Sequence, residues 1–226
     1  MTIQQIHSYE VKESRTGQKI PVLNGIHLHS IYNPFKEAEG LIENFAKEIN
    51  KTNNFLVMGL GFAYHINELN QSLARKYGQN YKILIVEPHS QVYQDCLHFD
   101  LLNRKNTITF AGYNTDELYS DFDFLNFLLK KPAVLAHPAS YNFSLDYFQN
   151  MLNFKAPTSI GESTKLISHP KVKSYLLSQN AEMSIKELAT SLNSKKNLNQ
   201  LDFMTLALHS MAQKSVLMNK ALEHEV

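Results

Sequence analysis

The residues best suited to hold a small ligand lie at the ends of apolar runs. Phe55-Leu-Val-Met58 leads into Gly59-Leu-Gly61, Ile83-Leu-Ile-Val86 ends at Glu87, and Pro132-Ala-Val-Leu-Ala136 ends at His137. Glycine is scarce, 8 in 226 residues, so two of them two apart at the end of a strand pattern mark a tight turn or a close backbone approach. In nucleotide-binding folds such a loop, running into a helix, offers bare amides to phosphate, and an acid closing the next strand takes ribose hydroxyls. Glu87 stands where that acid belongs, somewhat further from the glycines than the usual ~20 residues.

The elements that position these residues follow from periodicity. Ile66, Leu69, Leu73 and Tyr77 recur at helical spacing and Gly78 follows as a C-cap, so residues 55–87 read as a βαβ unit. Val92, Cys96, Leu97 and Leu101 predict the next helix and Thr107–Gly112 a third strand. A helix is expected from the acids at 116–123 to Lys130-Lys131, then a fourth strand to His137, then a helix over 144–155. Strand and helix alternating in this way argue for a mostly parallel, doubly wound sheet. The order 3-2-1-4 puts the Gly59 strand between those ending at Glu87 and His137, with the ligand crevice at the reversal. Both strands flanking the Gly59 strand end in X-Pro, which stops them at the rim.

Upstream, Tyr9, Val11, Ile20 and Val22 alternate around Ser14–Gly17 and predict a hairpin within residues 3–24. His27 and His29 share a strand face at a spacing that suits a metal, but no third ligand is evident and no metal site is assigned. Asn33 is a natural N-cap and Pro34 a natural first helical residue. The helix they open is expected to bury Phe35, Ala38, Ile42, Phe45, Ala46 and Ile49 as one stripe.

Three stretches together resemble the N-terminal Rossmann-like region of the motility-associated factor (Maf) glycosyltransferases, related to the archaeal pterin pyrophosphokinase family. They are Leu28-His-Ser-Ile-Tyr-Asn-Pro-Phe-Lys-Glu-Ala38, Gly59-Leu-Gly-Phe-Ala-Tyr-His65 with Ile85-Val-Glu-Pro88, and His137-Pro-Ala-Ser-Tyr141. The family tends to have an acid at Asn33, a basic residue at Gly40 and a third glycine at Ala63, so the chain departs from it there. The resemblance spans roughly residues 28–153. It implies a Rossmann-like α/β fold, with a nucleotide or nucleotide-sugar bound by Gly59, Gly61, Phe62, Tyr64, His65, Glu87 and His137. A cluster of Ser30, Tyr32, Asn33 and Glu37 stands beside the crevice. Full-length relatives follow this region with a second Rossmann-like domain that handles the activated sugar. Residues 156–226 instead read as helices, so transferase activity is not carried over.

The expected architecture is therefore a Rossmann-like domain, 1–155, with its N-terminal hairpin, followed by a helical extension, 156–226. The leading function is a nucleotide or nucleotide-sugar binding module accessory to glycosyl transfer. An S-adenosylmethionine-dependent methyltransferase and a non-enzymatic oligomeric protein with a vestigial pocket are the alternatives. No triad, metal set or carboxylate pair at catalytic spacing is visible, so no catalytic residue is assigned. The net charge of +1 supplies no global attraction to nucleic acid or anionic membrane. The extension carries 8 lysines against 6 acids, too little excess to favour DNA. A lone cysteine, Cys96, and the lack of a signal-like start or a long apolar run lead to the expectation of a cytoplasmic protein. Leu201, Met204, Leu208, Met211, Ser215, Met218 and Leu222 fall on a heptad stripe, from which a homo-oligomer joined through the last helix is expected.

Overall fold

The computed structural model describes residues 3–167 and 169–223; the side chains of 212 and 214–223 lie outside that description. The chain divides into two compact units, residues 1–154 and 155–226.

The first unit opens with an antiparallel sheet of β1 (Tyr9–Glu13), β2 (Lys19–Leu23) and the two-residue β3 (Ile26–His27), in the order β1-β2-β3. The expected hairpin forms and gains a third, short strand. Next come α1 (Pro34–Asn44) and α2 (Ala46–Lys51). Asn33 caps α1 as its sequence predicts, its side chain accepting from the amides of Phe35 and Lys36. The single helix expected here is broken at Phe45, and Phe35 is 51% exposed rather than buried. The buried stripe is Ala38, Ile42 and Ile49, and its α1 part packs on α3 (Tyr64–Tyr77).

The second sheet is built from β4 (Asn54–Met58), β5 (Lys82–Glu87), β6 (Thr107–Ala111) and β7 (Ala133–Ala136). It is fully parallel, in the order β6-β5-β4-β7, and the fold is Rossmann-like α/β. β4 alternates between two cores. Phe55 and Val57 face α3 and α4 (Ser90–His98), while Leu56 and Met58 face the opposite layer. That layer contains α5 (Thr115–Leu118), α6 (Phe122–Leu128), α7 (Pro138–Phe143) and α8 (Leu145–Leu152). A strand buried on both faces needs the continuous apolar run that the sequence has. The helix expected over 116–131 is two short ones, because Asn114 and Asp121 each cap a separate start. The helix expected from 144 is likewise preceded by α7, which begins at the Pro138 that ends β7.

The second unit holds α9 (Ile160–Leu166), α10 (Pro170–Leu177), α11 (Ile185–Asn193) and α12 (Gln200–Glu223). Ser184 and Glu187 form a capping box at α11, with both reciprocal hydrogen bonds present. Its core joins Ile160, Leu176, Leu188 and Leu192, with Leu206 of α12 packed against them. Buried Asp202 accepts from Tyr175 Oη, Lys195 Nζ and the Asn199 amide. The packed face of α12 is thus the one carrying Asp202 and Leu206. Met204, Leu208 and Met211 of the heptad stripe are exposed, and Ser215, Met218 and Leu222 lie outside the described side chains. Among the described residues, no helix is long and apolar enough to cross a membrane.

Candidate functional site

Hydrogen bonding between the strands continues up to the rim and brings three strand ends together. The Gly59 amide donates to Val86 O and the His137 amide to Met58 O, both at 2.9 Å, so Gly59 lies between Glu87 and His137. Gly59 has φ +93°, and a Cβ there would stand 2.3 Å from the Ser140 Cβ; a Cβ on Gly61 would stand 2.4 Å from His29 Nε2. Both glycines are therefore required by protein atoms pressing on the loop.

The loop's amides are engaged within the chain. The Leu60 amide donates to Glu87 Oε2 at 2.8 Å, the Phe62 amide to His29 Nε2 at 2.8 Å and the Ala63 amide to Leu60 O at 2.9 Å. Glu87 is 1% exposed, and its other oxygen accepts from the His89 amide. Burial pushes its carboxyl up to about 7, against the hydrogen bonds from the His89, Leu60 and Gly61 amides. The acid expected to take ribose thus braces the glycine loop from beneath.

Above the loop, His29, His65 and His137 come from three separate segments and are all buried. Each offers a nitrogen within 4.8 Å of the others. The His65 and His137 rings stack 5° from parallel with centroids 4.3 Å apart, and His29 lies 4.6 Å from His137. Desolvation holds all three neutral: His65 is lowered to about 3, His137 well below its ordinary value, and His29 is lowered despite the opposing pull of Glu37.

Their tautomers can be read from their partners. His29 accepts the Phe62 amide at Nε2, so its proton sits on Nδ1, 3.4 Å from Glu37 Oε2. His65 donates from Nε2 to Gly59 O at 3.0 Å, which leaves Nδ1 a bare, buried lone pair with no partner. His137 Nδ1 meets Ser140 Oγ at 2.8 Å. The three imidazoles line a hollow of about 210 Å³ with Glu37, Ala38, Leu41 and Pro138.

The other residues expected at the site divide clearly. Ser30 and Asn33 organise the start of α1: Ser30 Oγ accepts from the Tyr32 and Asn33 amides, and the Ser30 amide donates to Glu37 Oε2. Tyr32 is exposed on the rim, with the Arg15 guanidinium 4.5 Å from its ring centroid. Phe62 sends its side chain into the core against Phe99, and only its amide reaches the site. Tyr64 hydrogen-bonds Lys19 O and packs edge-on against both His29 and Phe35. The sequence pairs His29 with His27 on one strand face, but β3 ends at His27 and His29 instead meets His65 and His137; its contact with Phe62, 33 positions along the chain, leaves no periodic signal.

Among the described residues two Ser–His pairs occur, His137 with Ser140 and His89 with Ser144. A wider hollow of about 540 Å³, between Ile3–Gln5 and Ser144, Asp146 and Tyr147, contains no cluster of buried ionisable groups.

No protein-family model matches the chain, and no curated protein matches it. Among solved structures, a match is found to MNMC2 from Aquifex aeolicus, 14% identical over 50% of this chain and 45% of that one, with a TM-score of 0.33. A likeness at that level carries no argument about this chain's function.

Proposed function

We propose that this chain is a Rossmann-like binding module of the Maf type, accessory to glycosyl transfer, that takes a nucleotide or nucleotide-sugar at the switch-point crevice. The observation that carries this reading is the convergence of the Gly59, Glu87 and His137 strand ends beneath the roof formed by residues 29–38. The hollow is smaller than the ~300–1,000 Å³ of ordinary ligand pockets, so it takes only part of such a ligand. Tyr32, with Arg15 against its ring, and exposed Phe35 offer stacking faces and a positive charge for the base and phosphate.

Calorimetric titration with nucleoside diphosphates, nucleotide-sugars and S-adenosylmethionine tests this. A nucleotide that binds the parent and binds Tyr32→Ala and Arg15→Ala at least about tenfold more weakly supports the reading, on the ~1–3 kcal/mol scale of base stacking. Binding by S-adenosylmethionine alone, or by none of the panel, overturns it. Self-association of two copies through α12 is part of the same proposal, supported by the exposure of Met204, Leu208 and Met211 on one stripe.

A further inference from the structure

We propose that His29, His65 and His137 bind one divalent transition-metal ion of zinc-like preference, through His29 Nε2, His65 Nδ1 and His137 Nε2, with a fourth position open to the hollow beside Glu37. The inference does not depend on the nucleotide reading. Three neutral imidazoles are the donor set that suits zinc and its neighbours, and here they arrive from a loop, a helix start and a strand end.

Each ring is already held from its far side. His29 Nδ1–H faces the Glu37 carboxylate, His65 Nε2–H donates to the Gly59 carbonyl, and His137 Nδ1 pairs with the Ser140 hydroxyl. That is how the outer partners of a metal-ligating histidine fix its tautomer and aim its remaining lone pair. The independent sign of a missing partner is His65 Nδ1, a lone pair on a side chain 1% exposed with nothing to accept from. A native interior leaves few such groups unpaired.

The metal-free arrangement also states what binding must change. Zn–N distances of 2.0–2.1 Å in a tetrahedron bring the nitrogens to about 3.3 Å from one another, closer than their present limit of 4.8 Å. In-plane lone pairs of two parallel rings do not meet, so His65 and His137 must tilt out of their stack. His29 Nε2 must exchange the Phe62 amide for the ion, releasing that N–H toward the hollow.

The test uses the full chain without an affinity tag, freed of metal by a chelator and titrated with Co2+ and then Zn2+. The expected result is one ion per chain, with the intense visible bands of low-coordinate Co2+ displaced by equimolar Zn2+, and X-ray absorption of the zinc form showing three imidazoles. His65→Gln should weaken binding by about tenfold or more, Glu37→Gln by about 10- to 100-fold, and His27→Gln should leave it unchanged. The parent's Co2+ spectrum and imidazole count remain decisive if His65→Gln does not fold. Absence of stoichiometric binding, fewer than three imidazoles, or full affinity in a folded His65→Gln overturns the site. Metal binding without any nucleotide binding upholds this inference while overturning the ligand reading, and the converse result does the opposite.

Discussion

Acidification of the metal-free chain should destabilise its first unit by an amount set by opposing buried groups. His65, His89 and His137 are held neutral in the fold, with His65 near 3, His89 near 4 and His137 well below its ordinary 6.5. Their stabilising contribution is fully present above pH 6.5 and is lost as pH falls below it, because only the unfolded chain then takes up the protons. Moving from pH 7.5 to 5.5 removes about 1.4 kcal/mol for each, or about 4 kcal/mol together, and His29, also lowered by burial, adds to the loss. Glu87 acts the other way. Its carboxyl, raised from 4.5 to about 7, stabilises the fold below 4.5 and loses that effect as pH rises through 7. The same acidification therefore returns about 2 kcal/mol, leaving a net loss of about 2 kcal/mol. Urea-dependent hydrogen exchange of the peptide spanning 54–66, corrected for intrinsic rates and run with chelator, reads this unit without interference from the helical one. Glu87→Gln removes the opposing group and should enlarge the acid loss to about 4 kcal/mol, whatever its cost at neutral pH. Stability that is unchanged or greater at pH 5.5 in the parent would refute the assignment of buried neutral imidazoles, and an acid loss no larger in Glu87→Gln would refute the raised Glu87 carboxyl.

Gly59→Ala combines a left-handed backbone with a Cβ 2.3 Å from that of Ser140, and should cost about 3 kcal/mol or more in urea unfolding. Adding Ser140→Gly should recover the steric part only, and a single variant within 1 kcal/mol of the parent contradicts the packing described. Light scattering should find the parent larger than a monomer and the double variant Leu208→Lys, Met211→Lys monomeric; a monomeric parent removes the proposed α12 interface.

The parallel sheet was legible because its two central strands, β4 and β5, are apolar on both faces and because β5 and β7 stop at X-Pro. The glycine loop was legible because glycine is otherwise so sparse. The cap at Asn33 was equally clear, since a short polar side chain before a helical stripe has few other uses. What escaped were consequences of distant segments meeting. The stripe from Phe35 onward has helical spacing, yet nothing local reports that the chain breaks at Phe45 and leaves Phe35 on the rim. Glu87 has the position of a ribose-binding acid, and only the folded loop shows its oxygens facing backbone amides. His65 and His137 were expected at one crevice, but nothing in one dimension shows that His29 joins them, because it belongs to a different pattern.

The contact between His29 and the glycine loop makes the N-terminal segment a resident occupant of the crevice. Its imidazole accepts the Phe62 amide and fills the space over Gly61, where a soluble ligand's acceptor would otherwise stand. A ligand that needs that amide competes with a tethered group whose effective concentration reaches the millimolar range for short connections. Its observed affinity is then its intrinsic affinity scaled by the fraction of chains in which the roof has lifted. If a ligand does use that amide, lengthening the connection between β3 and α1 should raise its observed affinity, because the tethered imidazole then competes at a lower effective concentration.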